Sequence, residues 1–363
     1  MFFYDKVKRP LNYCFVIAEA GVNHKLNSND LKKLGVSSSL EVAYRMVDIA
    51  KNAGVDAIKF QSFYAEKLIY EGVEKPEYQR LILGDEKEIS YFNLIKSLET
   101  SEEDQIKIAN YCREKEIIFL STPYDEKSAD FLDAIIDVKA FKLASIELNN
   151  HLFIKYVANK KKPIILSTGL SNFVDVKNVV EMARQEGFAD RLILLQCTSN
   201  YPTKSPEINL NVIKTYRDEF PDIEIGFSDH SPSFIASIGA VALGAIVIEK
   251  HFTLDKSFEG PDHSSSLNPK ELNEWVKSTR EISVSLGSYE KKLTNSEKKN
   301  LSMRKYVVII PQEKDQIIEE KMLTTMRTGK GILPINENLM KIIGKRLKIK
   351  IDKPIPLSWD MIY

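Results

Sequence analysis

The chain is poor in the features that mark several large classes of protein. It has three cysteines in 363 residues, Cys14, Cys112 and Cys197, odd in number and far apart. That usage argues against a disulfide framework, and the lack of any CxxC pair excludes a thiolate zinc site. There is no excess charge of either sign, since 51 Lys and Arg balance 51 Asp and Glu. A partner recognised through bulk charge, such as nucleic acid or an anionic membrane, is therefore not expected. No apolar run of about 18 residues occurs, so no membrane-spanning helix is expected. The first 21 residues interleave charges with two short apolar stretches and do not read as a secretory signal. Glycine (15) and proline (14) are too sparse for a collagenous or low-complexity chain. The expectation is a soluble, cytoplasmic protein.

What the chain does have is rhythm. Short apolar runs of strand length recur at 15–20, 57–63, 117–123, 140–145, 163–169, 192–199, 224–230 and 246–252. They are nearly continuous rather than alternating, as in parallel strands covered on both faces. Amphipathic helical patterns lie between most of them, for example at 40–54, 172–187 and 234–245, and Gly54 and Gly187 stand where helices would stop. Eight β–α alternations predict a (β/α)8 TIM barrel over 1–285, in preference to a doubly wound sheet. Residues 1–14 read as a small hairpin cap and 75–104 as a loop-plus-helix insertion at the barrel mouth. A polar stretch at 286–303 reads as a linker. Short β segments at 304–363 predict a small β-rich second domain.

In such a barrel the chemistry sits at the carboxyl ends of the strands. Polar groups crowd there: Glu19, Lys59 and Gln61, Thr122, Lys142 with Ser145 and Glu147, Ser167, then Ser199 with Tyr201, Ser228 with His230, and His251. A buried ammonium needs an anion, so Lys59 and Lys142 either sit in ion pairs with Glu19, Glu147, Asp229 or Glu249 or cradle a small phosphorylated carboxylate among hydroxyls. The second reading is favoured by the ensemble. His230 and His251 close two successive strands, a placement that suits one shared divalent metal as well as two unrelated hydrogen-bonded rings. The 255–269 loop, with Asp262, His263 and three serines, reads as a lid or support. Cys197 reads as packing.

Taken together, IAEAGVNH (17–24), AIKFQSF (57–63), FLSTPYDEKSADFLD, FKLASIELNN, PIILSTGLS, LLQCTSNYP, GFSDH, IEKHF and EGPDHSSSL resemble the sialic acid synthase family, in the right order from about residue 15 to 285. The C-terminal segment is similar to that family's antifreeze-like SAF (β-clip) domain. The resemblance implies condensation of phosphoenolpyruvate with an open-chain N-acetylated mannosamine-type sugar, giving a nine-carbon α-keto acid and phosphate. Candidate acceptors are N-acetylmannosamine or a 2,4-diacetamido-2,4,6-trideoxy-hexose, as in the legionaminic and pseudaminic acid synthases. A divalent metal (Mn2+ or Mg2+) is implied at His230 and His251, with Asp262 supporting it. Glu19 matches the catalytic carboxylate. Lys59, Thr122, Lys142, Ser145, Ser167 and Ser228 match phosphoenolpyruvate contacts, and Gln61, Glu147 and Tyr201 match sugar-side positions. Ser199 stands where some relatives have asparagine. The resemblance also implies a domain-swapped homodimer in which Arg327, within MRTGKGI rather than the usual Arg-Pro-Gly string, covers the partner's site. The competing expectations are an aldol-type barrel acting on a phosphorylated sugar and a non-catalytic sugar-binding barrel.

Overall fold

The computed structural model describes residues 13–70, 72–74 and 90–363. The expected 1–14 cap, save its last two residues, and residues 75–89 of the expected insertion lie outside them. The chain divides into two compact units, Met1–Gly287 and Ser288–Tyr363.

In the first unit all eight expected strands form: β1 Phe15–Gly21, β2 Ala57–Ser62, β3 Ile118–Pro123, β4 Phe141–Leu143, β5 Ile164–Ser167, β6 Leu192–Cys197, β7 Glu224–Asp229 and β8 Val247–His251. They pair in parallel in the order β3-β2-β1-β8-β7-β6-β5-β4. β3 and β4 meet at the seam without a ladder, so the barrel is nearly closed.

The helices form where local chemistry starts and stops them. Ser38 caps the helix Ser39–Ala53 by accepting from Glu41 N, and Gly54 ends it with φ +83°, a conformation that suits glycine. Val42, Ala43, Met46, Val47 and Ala50 make its buried stripe. Reciprocal Asn172–Asp175 and Asn268–Glu271 capping boxes open Phe173–Gln185 and Pro269–Ser285.

Alternation along the strands splits the core into two. Outward residues such as Val16, Ile58, Leu166, Leu194 and Ile248 pack under the helices. Inward residues Phe15, Ile17, Ala57, Leu120, Ala140, Ile165, Ile193, Leu195 and Val247 fill the lumen as a separate cluster. β7 contributes Gly226 to that layer, where an added Cβ would lie 2.4 Å from Val247 O and 2.5 Å from Leu195 Cδ2. The floor under the barrel mouth is therefore solid and dry.

The second unit has a three-stranded sheet, β9 Tyr306–Ile309, β10 Leu323–Met326 and β11 Ile355–Pro356, ordered β10-β9-β11 and antiparallel. Its own core holds Val307, Ile309, Ile318, Ile332, Leu347 and Leu357. Among the described residues no helix is long and apolar enough to cross a membrane.

Candidate active site

Two residues beyond the apolar floor, every barrel strand turns a polar or ionisable group into the mouth. Ile17 is followed by Glu19, Ala57 by Lys59, Leu120 by Thr122, Ala140 by Lys142, Ile165 by Ser167, Leu195 by Cys197, Gly226 by Ser228 and Val247 by Glu249. All eight line one cavity of about 480 Å3.

Its floor is a charge network. Lys59 Nζ lies 2.6 Å from Glu19 Oε2 and 3.7 Å from Glu249 Oε2, and donates to Thr122 Oγ1 at 2.9 Å. Lys142 Nζ lies 3.5 Å from Glu249 Oε1 and donates to Ser167 Oγ at 2.8 Å. Ser228 Oγ donates to Glu249 Oε1 at 3.1 Å. Both lysines thus have carboxylate partners and also face the cavity. Glu249, absent from the expected site, joins them.

The two carboxylates are driven apart. Burial pushes Glu19 up to about 7 against the pull of Lys59, with the Glu249 charge adding to the rise. Burial opposes ionisation of Glu249 too, yet Lys142 and Lys59 together hold it below the usual carboxylate value. Two carboxyl groups of unequal acidity around a shared ammonium are the parts of a proton-transfer site. Burial lowers the Lys142 ammonium, whereas Glu19 and Glu249 outweigh burial and raise that of Lys59.

Above the floor, the rings of His230 and His251 have centroids 5.5 Å apart. Tyr201 stacks on His230 at 4.1 Å and meets His251 edge-on at 5.4 Å. His230 Nδ1 donates to Thr198 O at 2.8 Å, which leaves Nε2 unprotonated in the neutral ring. His251 Nδ1 is buried without a hydrogen-bond partner, 3.8 Å from Asp262 Oδ2. An orphaned ring nitrogen beside an imidazole of fixed tautomer and a carboxylate is a donor set that fits a divalent cation. Among the described residues no three such side chains converge into a preformed cage.

The 255–266 loop supports this corner. Ser265 and Ser266 donate to Asp262 O at 3.1 and 2.7 Å, and Asn23 Nδ2 reaches Ser266 Oγ at 3.1 Å. Asp262 is pushed up to about 6 by burial. Ser145 Oγ accepts from Gly169 N at 3.0 Å, and Ser199 lines the cavity beside it. An added Cβ at Gly169 would sit 2.2 Å from Ser199 Oγ and 2.8 Å from Ser145 Oγ, so both hydroxyls would have to move. Gln61 Nε2 is 3.5 Å from Glu19 Oε1.

Not every expected residue reaches the cavity. Glu147 is buried beside it, held by Asn150 Nδ2 at 2.8 Å, and Ile146 takes its place in the lining. Arg327 lies exposed in the second unit, directly after β10. His24 is engaged by Thr100 at 2.9 Å and His263 by Thr253 at 2.6 Å, both outside the lining. Cys197, read as packing, sits in the cavity wall, 3.6 Å from both His230 Nδ1 and Ser145 Oγ. The cavity also has an apolar wall. Phe63, Leu68, Ile69, Tyr91, Ile95 and Leu98, from the β2–β3 connection, line the cavity with Val22 and Tyr124.

Comparison with known proteins places this geometry. The sequence pattern of a family described as the NeuB family matches residues 46–291. The N,N'-diacetyllegionaminic acid synthase of Legionella pneumophila is 36% identical, over 96% of this chain and 94% of that one. The N-acetylneuraminate-9-phosphate synthase of Homo sapiens is 34% identical, over 96% and 92%. Among solved structures, an N-acetylneuraminic acid (sialic acid) synthetase from Leptospira borgpetersenii, in complex with citrate, aligns with a TM-score of 0.66 at 30% identity, covering 80% of this chain and 90% of that one.

Proposed function

Because the chain belongs to the NeuB family, we propose that it joins C3 of phosphoenolpyruvate to the aldehyde carbon of an open-chain N-acetylated amino sugar, while one water adds at C2 and phosphate leaves, giving a nine-carbon α-keto acid. The observation that carries this reading is the charge network on the cavity floor. Two ammonium groups and the hydroxyls of Thr122, Ser145, Ser167 and Ser228 suit the phosphate and carboxylate of phosphoenolpyruvate. Binding of that anion competes with Glu19 and Glu249 for Lys59 and Lys142, and Glu19, already near neutrality, is the group that takes or gives the proton.

His230 and His251 would hold a divalent cation, Mn2+ or Mg2+, with Asp262 and solvent or substrate completing its shell. Such a cation supplies Lewis-acid polarisation of the aldehyde oxygen. The ring of Tyr201, packed on both imidazoles, keeps them turned toward the acceptor.

The apolar wall supports an acceptor whose far end carries methyl groups, as a 6-deoxy diacetamido sugar does. Among the described residues lining the cavity, Lys59 and Lys142 are the cations, and both belong to the floor, which disfavours an acceptor bearing its own phosphate. The second unit is read as an antifreeze-like domain that covers the site of the other subunit in a homodimer, with Arg327 reaching the sugar.

The test is phosphate release from phosphoenolpyruvate with N-acetylmannosamine, its 6-phosphate and 2,4-diacetamido-2,4,6-trideoxymannose, each with and without EDTA. The 6-deoxy sugar is expected to give the highest kcat/KM. Binding without turnover for all three would overturn the synthase reading in favour of a non-catalytic barrel.

A further inference from the structure

β7 and β8 each run into a histidine of the cavity, and each histidine is preceded by a charged residue that faces the other way. Asp229 and Lys250 are register partners across the ladder. Alternation turns both away from the lumen, toward the helix Ile235–Ala242. Each is only 1% exposed. Lys250 Nζ lies 3.2 Å from Asp229 Oδ1. It also donates to Asp229 O at 3.3 Å and to Ser231 O at 2.7 Å, the carbonyls on either side of His230. Asp229 accepts from Ser231 N and Oγ at 2.8 and 2.6 Å and from Ser237 Oγ at 2.6 Å. The His230 carbonyl is taken by Thr203 N at 2.8 Å.

A buried ion pair is a weak source of net stability, and an apolar pair of similar volume commonly serves a core as well. What an apolar pair cannot do is reach, from the strand that carries His251, the two carbonyls that bracket His230. We infer that Lys250 is a positioning residue: its ammonium, oriented by Asp229, clamps the backbone on both sides of His230 and so fixes the spacing of the two imidazoles. The inference rests on the proposed role of the histidines as metal ligands. Its role is distinct from theirs, because Lys250 does not line the cavity.

Two readouts test it on the full-length protein. One is Mn2+ affinity, followed by the loss of free-ion paramagnetic resonance. The other is the imidazole 1H–15N spectrum of metal-free protein, with His230 identified by His230→Gln. In Lys250→Met the Mn2+ Kd is expected to rise roughly tenfold or more, the scale for loss of a group that orients a ligand. The His230 Nδ1–H signal should shift or broaden, while phosphoenolpyruvate affinity stays within about threefold because Lys59 and Lys142 are untouched. Lys250→Arg, which keeps donors for both carbonyls, should restore Mn2+ affinity. A folded Lys250→Met with unchanged Mn2+ affinity and an unchanged His230 signal would overturn the clamp. If the wild-type protein binds no Mn2+, it is the metal reading that fails, and the His230 signal of the metal-free proteins alone decides the clamp. Should Lys250→Met not fold, Lys250→Gln decides: its amide is one bond shorter and cannot hold both carbonyls, so a displaced His230 signal supports the clamp and an unmoved one in a folded protein overturns it.

Discussion

Glu19 and Lys59 face each other across the β1–β2 ladder, with Glu19 Oε2 2.6 Å from Lys59 Nζ and both side chains almost wholly shielded from solvent. The pair stands on an apolar floor and opens upward into the cavity. On the proposed reaction it has two jobs to reconcile, since the two groups pair with each other at rest and each would be needed by the substrate.

Glu19 gives the first prediction, which concerns pH. Its pKa is raised to about 7 in the folded protein, chiefly by burial, from an ordinary value of 4.5. The native state therefore holds a proton more tightly than the unfolded chain between those values, and this contribution to stability is lost as pH rises through about 7. Urea unfolding at pH 5.5 and pH 8 should show the wild type losing stability over that interval. Glu19→Gln should lose less and should cut turnover by roughly a hundredfold or more, the scale of general acid–base catalysis. Equal pH slopes in the two proteins would show that Glu19 titrates normally.

Lys59→Met and Lys142→Met should differ in stability while both lose phosphoenolpyruvate binding. Lys59 is the nearer partner of Glu19, so its loss leaves that acid with no adjacent cation and raises it further. The defect should grow with pH, because only the ionised carboxylate is orphaned. In Lys142→Met, Glu249 keeps Lys59 at 3.7 Å, and the melting temperature should hold. Calorimetry of the two variants at pH 6 and pH 8 checks the contrast. Melting temperatures equal to that of the wild type in both variants, at both pH values, would mean that the pairs contribute nothing to the unliganded fold.

Much of this was legible in the residues, and the part that was not has a physical cause. Eight apolar runs predict eight strands because a parallel barrel strand is covered on both faces. The mouth residues follow by counting two from each lumen residue, but that count needs the inner set to be known first. Without it, Glu249 and Lys250 are adjacent charges in one run, although the first joins two lysines in the cavity and the second is buried under a helix. Cys197 was missed for the same reason: its alternation partner Leu195 belongs to the lumen layer, which turns the thiol toward His230. Glu147 shows the converse, since a short 3-10 turn at Ser145–Glu147 swings it beside the cavity and presents Ile146 instead. A turn of that kind has no periodicity to read.

The histidine corner should behave as a metal site. His251→Ala removes one of two imidazoles and should lower activity about a hundredfold or more while the protein stays folded. Exhaustive chelation of the wild type should do the same and be reversed by Mn2+ or Mg2+. Full activity in a metal-free preparation would remove the cation from the account.

The apolar wall should read the acceptor and leave phosphoenolpyruvate alone. Leu98 and Ile95 belong to the apolar cluster that lines the cavity. Leu98→Ala should lower kcat/KM for a 6-deoxy diacetamido sugar by about tenfold, the worth of lost methylene contacts, with KM for phosphoenolpyruvate unchanged. A parallel fall for both substrates would mean that the change deforms the barrel instead.

Arg327 is the residue that tests whether the second unit takes part in the reaction. It is exposed immediately after β10 and is followed by Gly329 and Gly331 with φ of +73° and +132°. Gly331 has a tight reason of its own, since a Cβ there would lie 3.3 Å from Leu357 O and from Tyr306 Cβ. Just beyond it, Ile332 N donates to Leu357 O at 3.0 Å and Val307 N donates to Ile332 O at 2.8 Å, which ties the end of this turn to β9 and to the residue after β11. An exposed guanidinium suits the oxygens of a sugar or a carboxylate. If it serves the barrel of another subunit, two different lesions should complement each other. Glu19→Gln protein lacks a working barrel but keeps a working arm, and Arg327→Ala protein is the reverse. Mixed under conditions that exchange subunits, they form dimers in which one intact barrel meets one intact arm, and up to about half of those sites' activity should return. Mass spectrometry of differently labelled subunits establishes the exchange. Activity that stays at the level of the separate variants after exchange would place Arg327 over its own barrel or outside the reaction altogether.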